Sequence, residues 1–137
     1  MSIMNNKIKK VLKLACLEAG KVILKNYGTI KSVKSKGRND WVTKQDILIE
    51  RRVIKIIKRD FPDSAFIGEE TGVSSKKMDM TWIIDPIDGT NNYIHDYPFF
   101  CTSIGVMIKG EMTHGAVYDP LREEFFYAQK DHGAFMN

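Results

Sequence analysis

The stretch Trp82-Ile83-Ile84-Asp85-Pro86-Ile87-Asp88-Gly89-Thr90 carries the clearest structural signal in this chain. An apolar run, typical of a buried strand, ends on an acid and is followed by a proline and a second acid. Because proline fixes φ and donates no backbone hydrogen bond, we expect Pro86 to end the strand ladder. Asp85 and Asp88 would then share one corner, with the Ile87 carbonyl as a third oxygen.

Gly89 and Thr90 would present backbone N–H groups at a helix start, an arrangement that suits a bound phosphate. The same stretch also fits an ordinary turn, since Asp-Pro and Asp-Gly both favour turns. Other phosphate and metal motifs do not match. The chain lacks the P-loop pattern and the alternating acids of an EF-hand loop. Its two acids lie three residues apart, whereas haloacid-dehalogenase phosphatases space theirs by two.

A second acidic segment, residues 40–46, precedes a predicted helix over residues 47–61. The apolar residues of that helix recur at roughly helical spacing. Thr43 and Asp46 fit a capping box at the start of that helix. This interpretation is compatible with function, because a carboxylate at a helix N-terminus can face a metal site.

A third acidic segment, Gly68-Glu69-Glu70, follows a short apolar strand at residues 65–67. Taken alone, it is typical of a solvated acidic loop. However, this strand and the strand at Trp82 both deliver carboxylates at their C-terminal ends.

Together these motifs resemble the inositol monophosphatase family. They are Asp-x-Val-Thr-x-x-Asp at 40–46, Gly-Glu-Glu at 68–70 and Trp-Ile-Ile-Asp-Pro-Ile-Asp-Gly-Thr-x-Asn-Tyr at 82–93. Residues 36–43 and 117–124 look most like the bacterial SuhB branch of that family. The three motifs occur in the family's order and at plausible spacing across nearly the whole chain.

The resemblance implies a Mg²⁺-dependent phosphomonoesterase that acts on a small inositol or sugar phosphate. It implies that the metal ligands are Glu69, Asp85, the Ile87 carbonyl and Asp88. It assigns catalytic roles to Glu69, Thr90 and Asp46, with Glu70 as a supporting acid. The implied substrate-binding residues are Glu69, Ile87, Asp88, Gly89 and Thr90, with Lys36 near the phosphate. An all-oxygen ligand set of this kind suits Mg²⁺.

The resemblance covers what would be the N-terminal half of a family member, as one domain over residues 1–137. The family's Trp-Asp-x-Ala segment, whose Asp completes the metal cluster, has no counterpart here. We therefore expect the C-terminal half of the fold to be absent and turnover by this chain to be weak or undetectable.

The predicted fold class is α+β, with two N-terminal helices layered on a mostly antiparallel sheet. This is the first half of the inositol monophosphatase and fructose bisphosphatase-like fold. The helices are predicted over 4–27 and 47–61. The later strands are predicted over 102–109, 111–118 and 124–128.

Charge divides the chain unevenly. Up to Arg59 there are sixteen Lys and Arg against four acids, and from Asp60 onward there are five against thirteen. The basic part makes a regulatory module that binds RNA or RNA polymerase the alternative function, although a solvated helix surface explains such lysines more simply. The sequence shows no signal-peptide pattern and no membrane-length apolar run. We expect a cytoplasmic protein with no membrane partner, and a homodimer as a further expected state.

Overall fold

The computed structural model describes residues 2–29, 37–74 and 77–137. Two long helices pack on one face of a seven-stranded sheet. In chain order the elements are α1 (Ile3–Asn26), α2 (Arg38–Asp60), β1 (Ala65–Gly68), β2 (Gly72–Val73), β3 (Met80–Asp88), α3 (Thr90–Ile94), β4 (Cys101–Ile108), β5 (Glu111–Asp119), β6 (Glu124–Gln129) and β7 (Gly133–Met136). The predicted α+β class is confirmed.

Helix α1 forms where the apolar period predicts it. Ser2 caps its start by accepting a hydrogen bond from the Asn5 N–H at 3.1 Å. The buried stripe of α1 includes Ile8, Leu12 and Ile23, and the helix packs on β4 and β5.

Helix α2 begins at Arg38, well before the predicted start at residue 47. Thr43 and Asp46 therefore lie inside the helix, and the predicted capping box is wrong. The Thr43 hydroxyl instead donates to the Asn39 carbonyl at 3.0 Å, one turn earlier. The period was hidden in the first turns of α2 because an inward position there is an acid, the buried Asp46.

The sheet order is β2-β1-β3-β4-β5-β6-β7, and only β1 and β3 are parallel neighbours. The three later strands were predicted to within a residue or so of their ends. Strand β7 was missed because its four residues, Gly-Ala-Phe-Met, are all exposed and show no alternation.

Pro86 does not end β3, contrary to the sequence prediction. The strand continues to Asp88, with a shift of register between Asp85, opposite Ser103, and Asp88, opposite Cys101. A bulge tolerates proline because the ladder needs no N–H at that position. The Pro86 carbonyl accepts a hydrogen bond from the buried Thr102 hydroxyl at 2.9 Å.

The core lies between the two helices and the inner face of the sheet. Trp82 is fully buried, packs on Phe61, and donates from its indole nitrogen to the Ser64 hydroxyl at 3.1 Å. The buried Tyr93 hydroxyl donates to the Ile23 carbonyl at 3.0 Å and ties α3 to α1. Among the described residues, no helix is long and apolar enough to cross a membrane.

The opposite face of the sheet is apolar and uncovered. It contains a groove of about 580 Å³ lined by small and apolar residues of β4 to β7. Val117 and Phe126 are cross-strand partners on this face and are 38% and 40% exposed. Such a patch favours association.

We predict that replacing both Val117 and Phe126 by Thr will reduce self-association of the chain. Threonine is β-branched, a shape that strands favour, and it removes apolar area worth about 1 kcal/mol per side chain in a contact. Sedimentation equilibrium should show association at least about tenfold weaker. Leu24→Thr, at an exposed site on α1, is the control. A wild-type chain that is monomeric at high concentration would contradict this expectation.

Candidate metal and phosphate site

Parallel pairing of β1 with β3 brings two acidic segments together. Gly68 at the end of β1 is the register partner of Ile84 in β3. The next residue in each case is an acid, so Glu69, directly after β1, lies beside Asp85 of β3, which is the last residue before the bulge. Both line one cavity of about 450 Å³.

Asp85 occupies a repulsive environment. Burial is the first cause that raises the pKa of its carboxyl, to about 7, followed by a hydrogen bond and charge repulsion from Glu69. The charges of Asp88 and Glu50 raise this pKa further. The buried Oδ1 atom of Asp85 has no hydrogen-bond partner among the described residues.

Asp46 reaches the same cluster from α2. The residue is 3% exposed, and its Oδ1 atom likewise lacks a hydrogen-bond partner in the described part of the chain. Burial raises the pKa of Asp46 to about 8, and the neighbouring charges of Glu70, Glu69 and Asp85 add to that shift. The structure thus gathers Asp46, Glu69, Glu70 and Asp85 within mutual electrostatic range.

Asp88 is exposed and lies beyond the bulge of β3. With Gly89 it lines a different open cavity, of about 490 Å³, whose wall also includes Asp119 and Arg122. It still adds to the repulsion felt by Asp85.

Thr90 and the Ile87 carbonyl meet directly. The Thr90 hydroxyl donates to the Ile87 oxygen at 3.0 Å. Gly89 makes this turn at φ +91°, and an added Cβ there would lie 3.0 Å from the Phe99 carbonyl oxygen. Only glycine fits this position without strain. The predicted helix start exists, although α3 is only five residues long.

Glu50 is a site residue that sequence reasoning missed. Its carboxylate is fully buried and accepts hydrogen bonds from the Glu70 N–H at 3.1 Å and the Thr71 N–H at 3.0 Å. The Thr71 hydroxyl also donates to it. Glu50 therefore fastens the loop that carries Glu69 and Glu70. Its spacing of four residues from Asp46, which puts both on one helix face, was the available signal.

Gly68 is required by the same arrangement. A Cβ at this position would lie 2.0 Å from the Glu50 Oε1 atom. Any larger residue would therefore displace the Glu50 carboxylate from the amides of Glu70 and Thr71.

The donor set suits a hard divalent cation. Within residues 2–29, 37–74 and 77–137, no group of three or more His, Cys, Asp or Glu side chains is arranged to hold a metal ion as it stands. Nevertheless, a cation would give a partner to the unpaired buried oxygens of Asp46 and Asp85. It would also offset the repulsion between the neighbouring carboxylates. Lys36 lies outside the described residues.

Comparison with known proteins shows the family of the chain. The model of the inositol monophosphatase family matches residues 4–137. The chain belongs to the inositol monophosphatase family. It is 44% identical over 126 residues to the Nus factor SuhB of Haemophilus influenzae, and 41% identical over 127 residues to the inositol monophosphatase of Mesembryanthemum crystallinum.

The solved inositol monophosphatase from Anabaena superposes with a TM-score of 0.81 at 35% identity, and the match covers 97% of this chain and 48% of that chain. The two sequence relatives are each matched over 90% of this chain and 47% of their own length. The family member described here thus spans about half the length of these relatives, and the resemblance to the N-terminal half is confirmed.

We predict that Glu50→Gln will loosen the loop at Glu69 and Glu70. A glutamine offers one acceptor oxygen where the carboxylate serves three donors, so the folded state should lose about 1–3 kcal/mol. Amide hydrogen exchange at Glu70 and Thr71 should accelerate more than at other loop amides. Gly68→Ala should destabilise similarly, whereas Gly115→Ala, which meets no atom within 4 Å, is the control. Unchanged exchange at both amides would contradict the anchoring role.

A second prediction concerns pH. Because the folded pKa of Asp46 is raised to about 8 from 3.8, the folded state binds this proton more tightly than the unfolded chain. Its contribution to stability is therefore complete below about pH 4 and is lost as pH rises through about 8. Chelator-treated Asp46→Asn should show a flatter urea-stability profile over this range and should exceed the wild type at pH 9. A wild-type profile that rises with pH through 8 would contradict the sign.

Proposed function

We propose that this chain contributes the metal-binding and phosphate-binding part of a phosphomonoesterase of the inositol-1-monophosphatase type, with Mg²⁺ as its cofactor. The observation that supports the proposal most is the side-by-side position of Glu69, directly after β1, and Asp85, within β3. Family membership supports a phosphatase. The substrate class is an inositol or sugar phosphate.

The metal-holding residues in this proposal are Glu69, Asp85, Asp88 and the carbonyl of Ile87. Bound Mg²⁺ would act as a Lewis acid and offset negative charge on the phosphate. Asp46 would serve as a further acid of the catalytic cluster.

The chain's own groups would orient the reaction. The Glu69 carboxylate and the Thr90 hydroxyl oxygen would both accept hydrogen bonds from a water molecule and aim it at phosphorus, since the Thr90 O–H is donated to the Ile87 carbonyl. The Gly89 and Thr90 N–H groups would hold phosphate oxygens. Attack by water forms one P–O bond and releases a proton from the water, the ester P–O bond breaks, and the departing alkoxide takes up one proton in balance, giving an alcohol and inorganic phosphate. No covalent intermediate on a side chain is required.

A regulatory role is the second candidate. The relative from Haemophilus influenzae is called a Nus factor, and the basic residues before Asp60 are the feature that would serve RNA or RNA polymerase. For either role, we propose that the protein is cytoplasmic and forms a homodimer.

We predict that Mg²⁺ will stabilise the chain and that Asp88→Asn and Asp85→Asn will remove this effect. With Mg²⁺ at about ten times Kd, the gain is about 1.4 kcal/mol, or roughly 5 °C in Tm. The control is Asp63→Asn, an exposed acid in the turn before β1. Metal-independent Tm values for the wild type would contradict the metal site.

Turnover is measured in the same samples as phosphate released from inositol monophosphate. We expect weak or undetectable release, because the chain spans about half the length of its relatives and contains no Trp-Asp-x-Ala segment. Robust Mg²⁺-dependent release, abolished by Asp88→Asn, would show that this part alone suffices. RNA binding that weakens steeply with salt, without a Mg²⁺ effect on Tm, would favour the regulatory role.

A further inference from the structure

We propose that the groove between the outer faces of α1 and α2 docks an acidic amphipathic helix of a protein partner. The groove has a volume of about 560 Å³ and is lined by side chains of both helices. It lies on the face of α2 opposite Asp46 and Glu50, so it is separate from the carboxylate cluster.

The floor of the groove is apolar. Leu14 of α1 and Leu48 of α2 are 45% and 53% exposed, and Ile56 completes the floor beneath them. Two leucines this exposed, on facing helices of one groove, form an unpartnered apolar strip. A helix-in-groove ligand places its own apolar residues against such a strip.

The rim of the groove is basic. Its charged lining residues are Arg51, Arg52, Lys55 and Arg59 of α2 and a single acid, Glu18 of α1. Glu18 is already paired with Arg52 at 2.8 Å and with Lys21 at 2.5 Å.

None of the ion pairs between described residues involves Arg51, Lys55 or Arg59. Because these three cations flank an apolar strip without acidic partners, the complementary ligand is a helix with leucine-like residues on one side and Asp or Glu beside them. From Leu48 to Arg59 the rim extends about 16 Å along α2. Three to four turns of a partner helix would cover it.

RNA fits this groove less well than a protein helix. Single-stranded nucleic acid is bound by cations together with aromatic side chains on which bases stack. The groove lining contains no aromatic residue, and a phosphate backbone offers nothing apolar to Leu14 and Leu48.

The test uses the 137-residue chain and a fluorescein-labelled peptide of about 18 residues, with Leu at helical spacing and Glu on both flanks. A matched peptide carries Lys in place of every Glu. Fluorescence anisotropy should show saturable binding of the acidic peptide and at least about tenfold weaker binding of the basic one. Failure of the acidic peptide to bind below about 1 mM, or equal affinity for both peptides, would overturn the proposal.

Two variants locate the binding. Arg51→Glu with Arg59→Glu removes the rim charge, and Leu14→Ser with Leu48→Ser removes the apolar strip. Each double variant should bind the acidic peptide at least about tenfold more weakly, while its circular dichroism spectrum stays unchanged. The matched control is Lys44→Glu with Lys109→Glu, since both lysines are exposed and neither lines the groove. Equal weakening by the control would show non-specific charge attraction and would contradict the groove.

Single-stranded RNA serves as the competing ligand. The proposal would be wrong if the acidic peptide did not bind and RNA did, with RNA binding dependent on Arg51 and Arg59 but not on Leu14 and Leu48. The partner of the groove would then be nucleic acid and not a protein helix. The outcome is independent of the phosphatase proposal, because Mg²⁺ stabilisation and phosphate release are measured separately and use other residues.

Discussion

Like-charged carboxylates are held together in a partly buried corner, and the function proposed for this chain depends on that constraint. Asp46 and Asp85 each have a buried oxygen without a partner in the described part of the chain, and burial and neighbouring acids raise their pKa values to about 8 and about 7. Without a counter-ion, this arrangement opposes folding. The carboxylate cluster thus lowers the stability of the folded chain at the position where a bound cation would restore it, as is common at functional sites.

The scaffold holds these acids through the close approach of three elements. The parallel pairing of β1 and β3 fixes where Glu69 and Asp85 leave the sheet. Glu50 of α2 accepts the amides of the loop after β1, and Gly68 leaves it the space to do so. Because one carboxylate serves three donors, the loop is fastened by two backbone amides and a hydroxyl, none of which carries a positive charge. This leaves the negative charge of the cluster available to a metal.

Much of the fold could be predicted from the sequence, because α1 and β4 to β6 follow their apolar periods closely. The start of α2 could not, since buried Asp46 occupies an inward position where a periodic pattern requires an apolar residue. The family motifs pointed to Glu69, Asp85 and Asp88. They did not point to Glu50, whose role depends on contacts between distant parts of the chain. The prediction that Pro86 ends β3 was wrong because the bulge removes the ladder hydrogen bond that a proline cannot donate.

The most direct test of the metal-binding claim is paramagnetic broadening of amide resonances by Mn²⁺, which replaces Mg²⁺ at oxygen sites. Substoichiometric Mn²⁺ should broaden the amides around Glu69, Glu70 and Asp85 to Thr90 first, and excess Mg²⁺ should reverse the effect. Broadening that appears first at other acids, such as Glu123 and Glu124, or that Mg²⁺ does not reverse, would contradict a metal site at the ends of β1 and β3.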